Sequence, residues 1–548
     1  MGPFAQPATA RTDAPAAGAG DGSAAHRRGT SLGAMHALVR SATLAGVDAI
    51  AVSVEASIAG GLPGVHVVGL PDAAVREARE RVRAALRAVR LTLPASRVVV
   101  NLAPADVRKE GPAFDLPIAL ALLAAQGRVP QTHLTSATVV GELGLDGRVR
   151  PVRGMLALAL AARAAGSASL VLPAEQAYEV SAVDGLRTVP VASLCEAIAW
   201  ARAGTLPAAS DACVAEAGGS GTRDPRGATA LAERHGLDLS DVRGQRVAKR
   251  VLEVSAAGRH HLLLIGPPGS GKTMLARRLV GLLPPLAVAD AVAVARLHSL
   301  AGTPRSPLER APPLREPHHT VSLPGLVGTP AALGELSLAH HGVLFLDELP
   351  EFERRALQAL REPLEAGSLL LARARLRRRL PADVQLVAAM NPCPCGHAGD
   401  LRRACACHPS AQRRYLARVS GPLLDRVALR VVVPALAPDE AADSAPAESS
   451  AMVAARVATV RALAHARQGC LNAALRGPAL GRHAAVPREA RALLERARAQ
   501  GRLAERGVDD VTRVARSLAD LAGRRAVAVE DVAEALAYRA ELHLAVQP

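Results

Sequence analysis

An octapeptide near the middle of the chain has the residue types and spacing of a phosphate-binding loop. Residues 266–273 match G-x-x-x-x-G-K-T, with an apolar strand pattern before them and a helical pattern after them. Glycines let backbone N–H groups surround phosphate oxygens, the helix N-terminus adds its positive dipole end, and the lysine ammonium reaches the β- and γ-phosphates. The predicted ATP-binding residues are Gly266, Pro267, Pro268, Gly269, Ser270, Gly271, Lys272 and Thr273. A chance glycine-rich turn is the alternative.

Two further apolar strand patterns end in polar residues, one at Asp347 and Glu348 and the other at Asn391. Open α/β sheets bind ligands at the carboxyl ends of their strands, so these side chains are expected beside the phosphates. Asp347 would hold Mg²⁺ together with Thr273, and Glu348 would orient and polarise the attacking water. Asn391 would position that water or contact the γ-phosphate. The alternative is that these polar residues do no more than end their strands.

Four of the seven cysteines form two C-x-C pairs, Cys393 with Cys395 and Cys405 with Cys407. Four thiolates suit a tetrahedral Zn²⁺ site, and four protein ligands would leave no open position for catalysis. The predicted zinc is therefore structural. Reduced thiols in a loop are the alternative, because C-x-C is tighter than the usual C-x₂-C spacing.

The composition excludes several classes of protein. Of 548 residues, 49% are hydrophobic and 21% charged, which is typical of a globular chain. No apolar run has the length of a membrane helix and no secretory signal is evident, so we expect a cytoplasmic protein without membrane contact. The formal charge is +16, which favours an anionic partner, although genome-wide bias also raises the arginine content. Only three lysines occur, Lys109, Lys249 and Lys272.

The elements that must position these residues predict an α/β multidomain protein. Strand patterns alternate with helical patterns through two blocks, a helical region follows, and segments rich in Ala, Gly, Ser and Pro separate them. The predicted segments are 1–33, a disordered tail or misassigned start; 34–203, an N-terminal α/β domain; 204–237, a linker; 238–440, the nucleotide-binding core with a Cys-rich insert at 393–408; and 441–548, a C-terminal helical domain read as a lid.

Several longer motifs resemble the Mg-chelatase-like AAA+ ATPases of the YifB/ComM family. The resemblance runs from about residue 35 to the C-terminus. It is carried by the segments 241–245, 315–322, 334–340, 343–352 and 391–396.

The resemblance implies an AAA+ P-loop core and a homo-hexameric ring with ATP between subunits. It puts Gln245 beside the adenine and makes Arg426, in the segment 420–426, the arginine finger of a neighbouring subunit. It also puts Arg506 on the second sensor position of the lid. Val427 and Ala428 follow Arg426 where the family usually has Ile-Asp, so the local support of the finger differs here.

The same resemblance gives the N-terminal domain the fold of the Lon protease domain. The serine and lysine of Lon-type proteolysis fall on Ala113 and about Leu156, which can act neither as nucleophile nor as base. We therefore expect no peptidase activity; binding nucleic acid or ordering the ring is the expected role. Lys109 would help there or remain a solvated charge.

The expected partner is DNA, single-stranded or branched, bound largely without reading sequence. Arginines crowd residues 373–379 just before the strand that ends at Asn391, and related motors have a pore hairpin there. A solvated basic hairpin is the alternative. For His318 and His319, supporting, pore-lining and structural roles are all open.

The function implied by the resemblance is an ATP-dependent DNA motor. Helicase or branch-migration activity in recombination during natural transformation is the specific expectation. The alternatives are a Mg-chelatase-type ATPase subunit and a protein-remodelling ATPase.

Overall fold

A computed structural model describes residues 35–206, 237–330, 332–373, 376–400, 403–419, 421–435 and 448–539. The predicted N-terminal tail and most of the predicted linker 204–237 lie outside these residues.

A seven-stranded mixed sheet organises the first unit. Its spatial order is β3-β4-β2-β1-β5-β8-β9, and β1 and β2 form a long antiparallel pair. Along β2 the side chains of Val52, Val54 and Ala56 are buried in alternation with more exposed neighbours, as expected for a strand with one face on a core. The strands of this unit are β1 Met35–Ala45, β2 Asp48–Ala59, β3 Gly64–Val68, β4 Arg97–Ala103, β5 Ala137–Val139, β6 Glu142–Leu143, β7 Val149–Arg150, β8 Ser169–Pro173 and β9 Arg187–Val191.

Four helices cover this sheet: α1 Ala73–Ala88, α2 Asp115–Ala125, α3 Met155–Ala164 and α4 Leu194–Ala203. α1 begins at Asp72, whose carboxylate accepts a hydrogen bond from the N–H of Val75. Every residue of α2 is buried, because α2 is apolar on all sides and lies in the centre of the unit.

A five-stranded parallel sheet forms the second unit, in the order β11-β12-β15-β10-β16. Its three central strands are short and buried on both faces, which explains their mainly apolar sequences. The strands are β10 Leu262–Ile265, β11 Leu314–Arg315, β12 Val343–Leu346, β15 Gln385–Met390 and β16 Leu429–Val432, and a separate hairpin consists of β13 Ser368–Arg373 and β14 Leu376–Pro381. The helices are α5 Arg246–Gly258, α6 Lys272–Arg278, α7 Val288–Leu300, α8 Leu323–Val327, α9 Glu335–Leu338, α10 Arg354–Ala359, α11 Pro363–Ala366, α12 Pro409–Leu416 and α13 Gly421–Leu424.

Residues 448–539 are helical. They form α14 Ser450–Gln468, α15 Gly477–His483, α16 Arg488–Ala499, α17 Glu505–Leu521 and α18 Val529–Ala537. α17 carries more buried residues than any other helix of this region and packs on α18 and α5. The C-terminal helices therefore share one core with the parallel sheet.

Helix α7 joins the first two units. The Ser299 hydroxyl donates a 2.6 Å hydrogen bond to the buried Glu179 carboxylate, and Arg296 forms a 2.5 Å ion pair with Asp48. Ala295 also belongs to an apolar cluster of the first unit. The nucleotide-binding unit is thus braced directly on the N-terminal one.

Some local expectations differ from the structure. The helix predicted over 274–283 ends at Arg278 and continues as a 3₁₀ turn, Leu279–Leu282. Lys109, expected as a solvated or nucleic-acid-binding charge, is fully buried, and its ammonium donates to the Pro104 carbonyl oxygen. Burial lowers the pKa of Lys109.

No helix in the described ranges has both the length and the apolar character needed to span a bilayer.

Candidate nucleotide and metal sites

Three neighbouring strands of the parallel sheet end at the predicted polar residues. β10 leads into the loop 266–273, β12 is followed at once by Asp347, and β15 by Asn391. β15 lies between β12 and β10, and all three run in the same direction. Segments more than a hundred residues apart in sequence therefore meet at one sheet edge, where such folds bind ligands.

The Lys272 ammonium lies at the centre of this edge. Its Nζ donates to the carbonyl oxygens of Gly266 at 2.7 Å and Pro267 at 2.8 Å, and to Asn391 Oδ1 at 3.2 Å. Burial lowers the pKa of Lys272, and the nearby Asp347 and Glu348 carboxylates oppose that shift. The loop thus holds a cation against neutral oxygens that phosphate oxygens can replace.

Thr273 and Asp347 form the candidate magnesium site. The Thr273 hydroxyl donates to Asp347 Oδ2 at 2.6 Å, and the N–H of Glu348 donates to Asp347 Oδ1 at 2.9 Å. Hydroxyl and carboxylate oxygens are the hard ligands that Mg²⁺ takes alongside water and phosphate. The two side chains fit this ion and are already in contact.

Glu348 has a partner in His319, whose role the sequence left open. The backbone of Glu348 is left-handed, with φ +53°, which is uncommon for a residue with a side chain. Glu348 Oε2 lies 3.0 Å from His319 Nδ1. His319 therefore contacts the carboxylate that is predicted to orient water, which favours a supporting role for this histidine. His318 contacts Thr320 instead.

The loop also shows why its first glycine is needed. A Cβ on Gly266 would lie 2.1 Å from the carbonyl oxygen of Val433, so no other residue fits. The Ser270 hydroxyl is buried and has no hydrogen-bond partner within the described part of the chain, which leaves an oxygen available for a phosphate or metal ligand. Gln245 Nε2 donates to the carbonyl oxygens of Pro434 at 2.8 Å and Ser270 at 3.4 Å, which places Gln245 against the phosphate-binding loop.

The two predicted nucleotide-sensing arginines meet at one carboxylate. Glu365 accepts from Arg426 Nη2 at 2.5 Å and from Arg506 Nη1 at 2.7 Å. Partial burial alone would raise the pKa of Glu365, but the bonds from Arg506 and Arg426 bring it below its usual value. Both arginines line a cavity of about 430 Å³ between the sheet unit and the C-terminal helices. None of their described hydrogen bonds reaches the loop 266–273 of the same chain.

The four cysteines of the insert converge. The Sγ of Cys393 lies 3.4 Å from that of Cys395 and 3.6 Å from that of Cys405, and all four sulfurs lie within 4.8 Å of one another. In a tetrahedral site with Zn–S about 2.3 Å, neighbouring sulfurs are about 3.8 Å apart. Backbone N–H groups of Cys395, Ala398 and Cys407 donate to sulfurs of the cluster. This group could hold a metal ion.

The arginine-rich stretch is an antiparallel hairpin made by β13 and β14. Arg377 and Arg379 are exposed, whereas Arg378 is half-buried and donates to the carbonyl oxygen of Pro330. Ala374 and Arg375, at the turn, lie outside the described residues.

In the N-terminal unit, the two positions that the resemblance assigns to proteolytic chemistry are apolar and buried. Ala113 and Leu156 belong to the same apolar cluster, at 8% and 1% exposure. Neither position offers a nucleophile or a base.

Three protein-family models match the chain. The model described as magnesium chelatase, subunit ChlI, matches residues 238–441. The model for subunit ChlI of Mg-chelatase matches 54–176, and the one for its C-terminal part matches 447–539. The matches cover each of the three regions described above.

Several curated relatives match over nearly their full length. Competence protein ComM of Haemophilus influenzae is 40% identical over 514 residues, which is 93% of this chain and 98% of that protein. The uncharacterized protein YifB of Escherichia coli is 41% identical over 508 residues, covering 92% and 97%. An uncharacterized protein of Mycobacterium tuberculosis is 44% identical over 508 residues, covering 91% and 97%. Identity at this level over whole chains shows that this protein belongs to the YifB/ComM family of magnesium-chelatase-like, AAA+-type ATPases.

Proposed function

We propose that the protein is a ring-forming ATP-dependent motor that acts on DNA, with helicase or branch-migration activity in recombination. The observation that carries the ATPase part is the convergence of Lys272, Thr273, Asp347, Glu348 and Asn391 at one edge of the parallel sheet. Phosphoryl transfer requires mainly positioning and charge stabilisation, which these groups can supply.

Each of these side chains has a part in hydrolysis. Lys272 exchanges its bonds to loop carbonyls for bonds to the β- and γ-phosphate oxygens of ATP. Thr273 and Asp347 would hold Mg²⁺, and the ion would neutralise phosphate charge. Glu348, oriented by His319, aligns a water molecule for in-line attack and accepts its proton, and Asn391 fixes that water or the γ-phosphate.

The positions of Arg426 and Arg506 support the proposal that the protein forms a ring. Arg426 and Arg506 bond Glu365, and none of their described hydrogen bonds reaches the loop 266–273 of the same chain, which supports a role at the nucleotide of a neighbouring copy in a homo-hexamer. An arginine finger supplied in trans contributes roughly 10³–10⁵ in turnover. We take Arg426 as that finger and Arg506 as the second sensor, with the helices of 441–548 as the lid.

DNA is the proposed partner for three reasons. The hairpin carries exposed Arg377 and Arg379, the formal charge is +16, and a relative that covers the whole chain is named a competence protein. Arginines without interleaved aromatic residues suit phosphate contacts and not base reading. Binding to single-stranded or branched DNA should therefore be largely independent of sequence.

A branch-migration assay on a synthetic four-way junction tests this function. Purified protein with ATP and Mg²⁺ should resolve the labelled junction into duplex arms, and Lys272→Ala should not. Failure to bind or move any DNA structure at low salt, by protein that hydrolyses ATP, would overturn the DNA part alone.

The matching family models favour one second candidate, the ATPase subunit of a magnesium chelatase. That function predicts ATP-dependent insertion of Mg²⁺ into a tetrapyrrole when the other chelatase subunits are added.

The N-terminal unit, proposed as a Lon-type fold, is expected to show no peptidase activity because Ala113 and Leu156 can act neither as nucleophile nor as base.

We propose zinc as the ion of the cysteine cluster. Four thiolates at tetrahedral spacing, with N–H groups donating to sulfur, are typical of structural zinc, and free thiols at such a site are suited to the reducing cytoplasm. Elemental analysis should find one zinc per chain; a value well below one would contradict the assignment.

A further inference from the structure

The loop that carries the cysteine cluster folds back onto the phosphate-binding loop. We propose that metal binding at the cluster and nucleotide binding at residues 266–273 are coupled, so that each strengthens the other. The inference rests on the proposed zinc and ATP sites and adds a regulatory link between them.

The first connection is a direct contact at Gly396, which lies just after Cys395 in the turn of the cluster. Gly396 has φ +84°, and a Cβ built on it would lie 2.6 Å from Cδ and 2.8 Å from Cγ of Pro268. The backbone of the turn therefore lies against the ring of Pro268, inside the phosphate-binding loop. Movement of the turn must shift that ring or leave a gap beside it.

The second connection runs through Asn391, which is two residues before Cys393. Its Oδ1 accepts the 3.2 Å bond from Lys272 Nζ. Fixing the sulfur of Cys393 to a metal fixes the chain just beyond Asn391, and so fixes one of the three oxygens that hold the ammonium.

A third connection comes from helix α12, on the far side of the cluster. Gln412 donates to Cys405 Sγ at 3.3 Å. Tyr415, one turn further along α12, is buried in the same apolar cluster as Met390, the residue just before Asn391. The same helix thus contacts a candidate metal ligand and packs in the core beside the strand that leads to Asn391.

A metal would join these connections into one unit. The two cysteine pairs stand at the beginning and end of the loop, so a bound ion closes the loop and removes its freedom to move away from Pro268. Among the described residues, the contacts between these sulfurs are weak hydrogen bonds. Since coupling free energies are reciprocal, nucleotide must tighten metal binding by the same factor by which metal tightens nucleotide binding.

The test measures binding and not turnover. The full chain is prepared with zinc, stripped with a chelator that is then removed, and reloaded. A fluorescent ATP analogue is titrated into each preparation, and zinc affinity is measured by competition with a chromophoric chelator, with and without the nucleotide. We expect stripping to weaken nucleotide binding by roughly tenfold, reloading to restore it, and nucleotide to tighten zinc binding by the same factor.

Matched variants separate coupling from general damage. Cys405→Ser should lose zinc and nucleotide affinity together, while Cys470→Ser and Cys195→Ser, outside the cluster, should change neither. If Cys405→Ser does not fold, Pro268→Ala tests the coupling instead. This variant keeps all four cysteines, so it should bind one zinc. Its coupling free energy between zinc and nucleotide should be less than half that of the unaltered chain.

Equal nucleotide affinity in folded zinc-free and zinc-loaded protein would overturn the proposal, as would full coupling in Pro268→Ala. Equal nucleotide affinity with and without zinc, in a zinc-free chain that still hydrolyses ATP in response to DNA, would refute this inference and leave the proposed motor function intact.

Discussion

The hydroxyl of Thr273 donates a 2.6 Å hydrogen bond to the carboxylate of Asp347, across 74 residues of sequence. The first residue pair of the proposed magnesium site is therefore formed by the protein alone. This predicts that the oxygen of residue 273, and not its size, matters for hydrolysis. Thr273→Ala should raise the Mg²⁺ concentration needed for half-maximal ATPase activity by at least tenfold, whereas Thr273→Ser, which keeps the hydroxyl, should stay within threefold. Equal Mg²⁺ dependence in both variants would argue against this ligand.

Glu348 and His319 make a second prediction, because they form a 3.0 Å pair at the expected position of the attacking water. Glu348→Gln should reduce the rate of hydrolysis by roughly 10²–10⁴ while nucleotide still binds, as expected on loss of a general base. His319→Ala should lower kcat less, by roughly tenfold, because it acts through the carboxylate. Single-turnover hydrolysis beside nucleotide titrations checks both; a His319→Ala effect confined to affinity would remove His319 from this role.

The shared contact of Arg426 and Arg506 with Glu365 predicts complementation between two inactive variants. Lys272→Ala cannot bind ATP productively but keeps its finger, and Arg426→Ala keeps its phosphate-binding loop but lacks the finger. Each alone should be inactive, and mixing them should restore part of the ATPase activity, because some sites then join an intact loop to an intact arginine. Steady-state hydrolysis as a function of mixing ratio measures this. If Arg426 acts within its own chain, no ratio restores activity.

The exposed arginines of the β13–β14 hairpin predict a salt-dependent loss of DNA affinity. Arg377→Ala and Arg379→Ala should each weaken binding equally for all sequences and reduce the slope of log K against log salt by roughly 0.7–0.9. Arg488→Ala, an equally exposed arginine at the start of α16, serves as the matched control. Fluorescence anisotropy with a single-stranded oligonucleotide at several salt concentrations distinguishes these outcomes. Slopes that match the control variant would place the DNA path elsewhere.

Buried histidines between the sheet and the C-terminal helices predict acid sensitivity. His260 is fully buried and its ring bonds Ser517 Oγ at 2.8 Å; burial, with Arg513 and His261 nearby, lowers its pKa to about 3. The folded state therefore keeps this ring neutral while the unfolded chain takes up a proton below about pH 6.5. Stability should fall by about 1.4 kcal/mol per pH unit for this group as pH decreases from 6.5 towards 4.

His260→Gln, which can still bond Ser517, should flatten that dependence. Urea unfolding of both proteins at pH 7.5, 6.5 and 5.5 measures the difference. Parallel pH profiles of the two proteins would show that His260 does not cause the loss of stability at low pH.

The sequence was sufficient to predict the strands that carry the site. β10, β12 and β15 are almost wholly apolar because they are buried. β10 leads into the glycine-rich loop, and Asp347 and Asn391 directly follow β12 and β15. Helix ends were less predictable: α6 tightens into a 3₁₀ turn after Arg278, whose guanidinium bonds Asp238 and Asp241 far away in sequence.

Contacts made through the fold alone could not be predicted. His319 lies 29 residues before Glu348, and Glu365 meets Arg426 and Arg506 from 61 and 141 residues away. Nothing in local periodicity marks these partners. The burial of Lys109 could not be predicted for the same reason, because its backbone pairs with Leu70 and Asp72, far before it in sequence.

The most direct test of the central claim is the steady-state rate of ATP hydrolysis by the purified full chain, with and without DNA. Single-stranded DNA and a four-way junction should each raise the rate several-fold at low salt, the stimulation should fall steeply as salt rises, and Lys272→Ala should show no turnover in any condition. ATP hydrolysis that is unaffected by every DNA structure, or hydrolysis that persists in Lys272→Ala, would contradict the account.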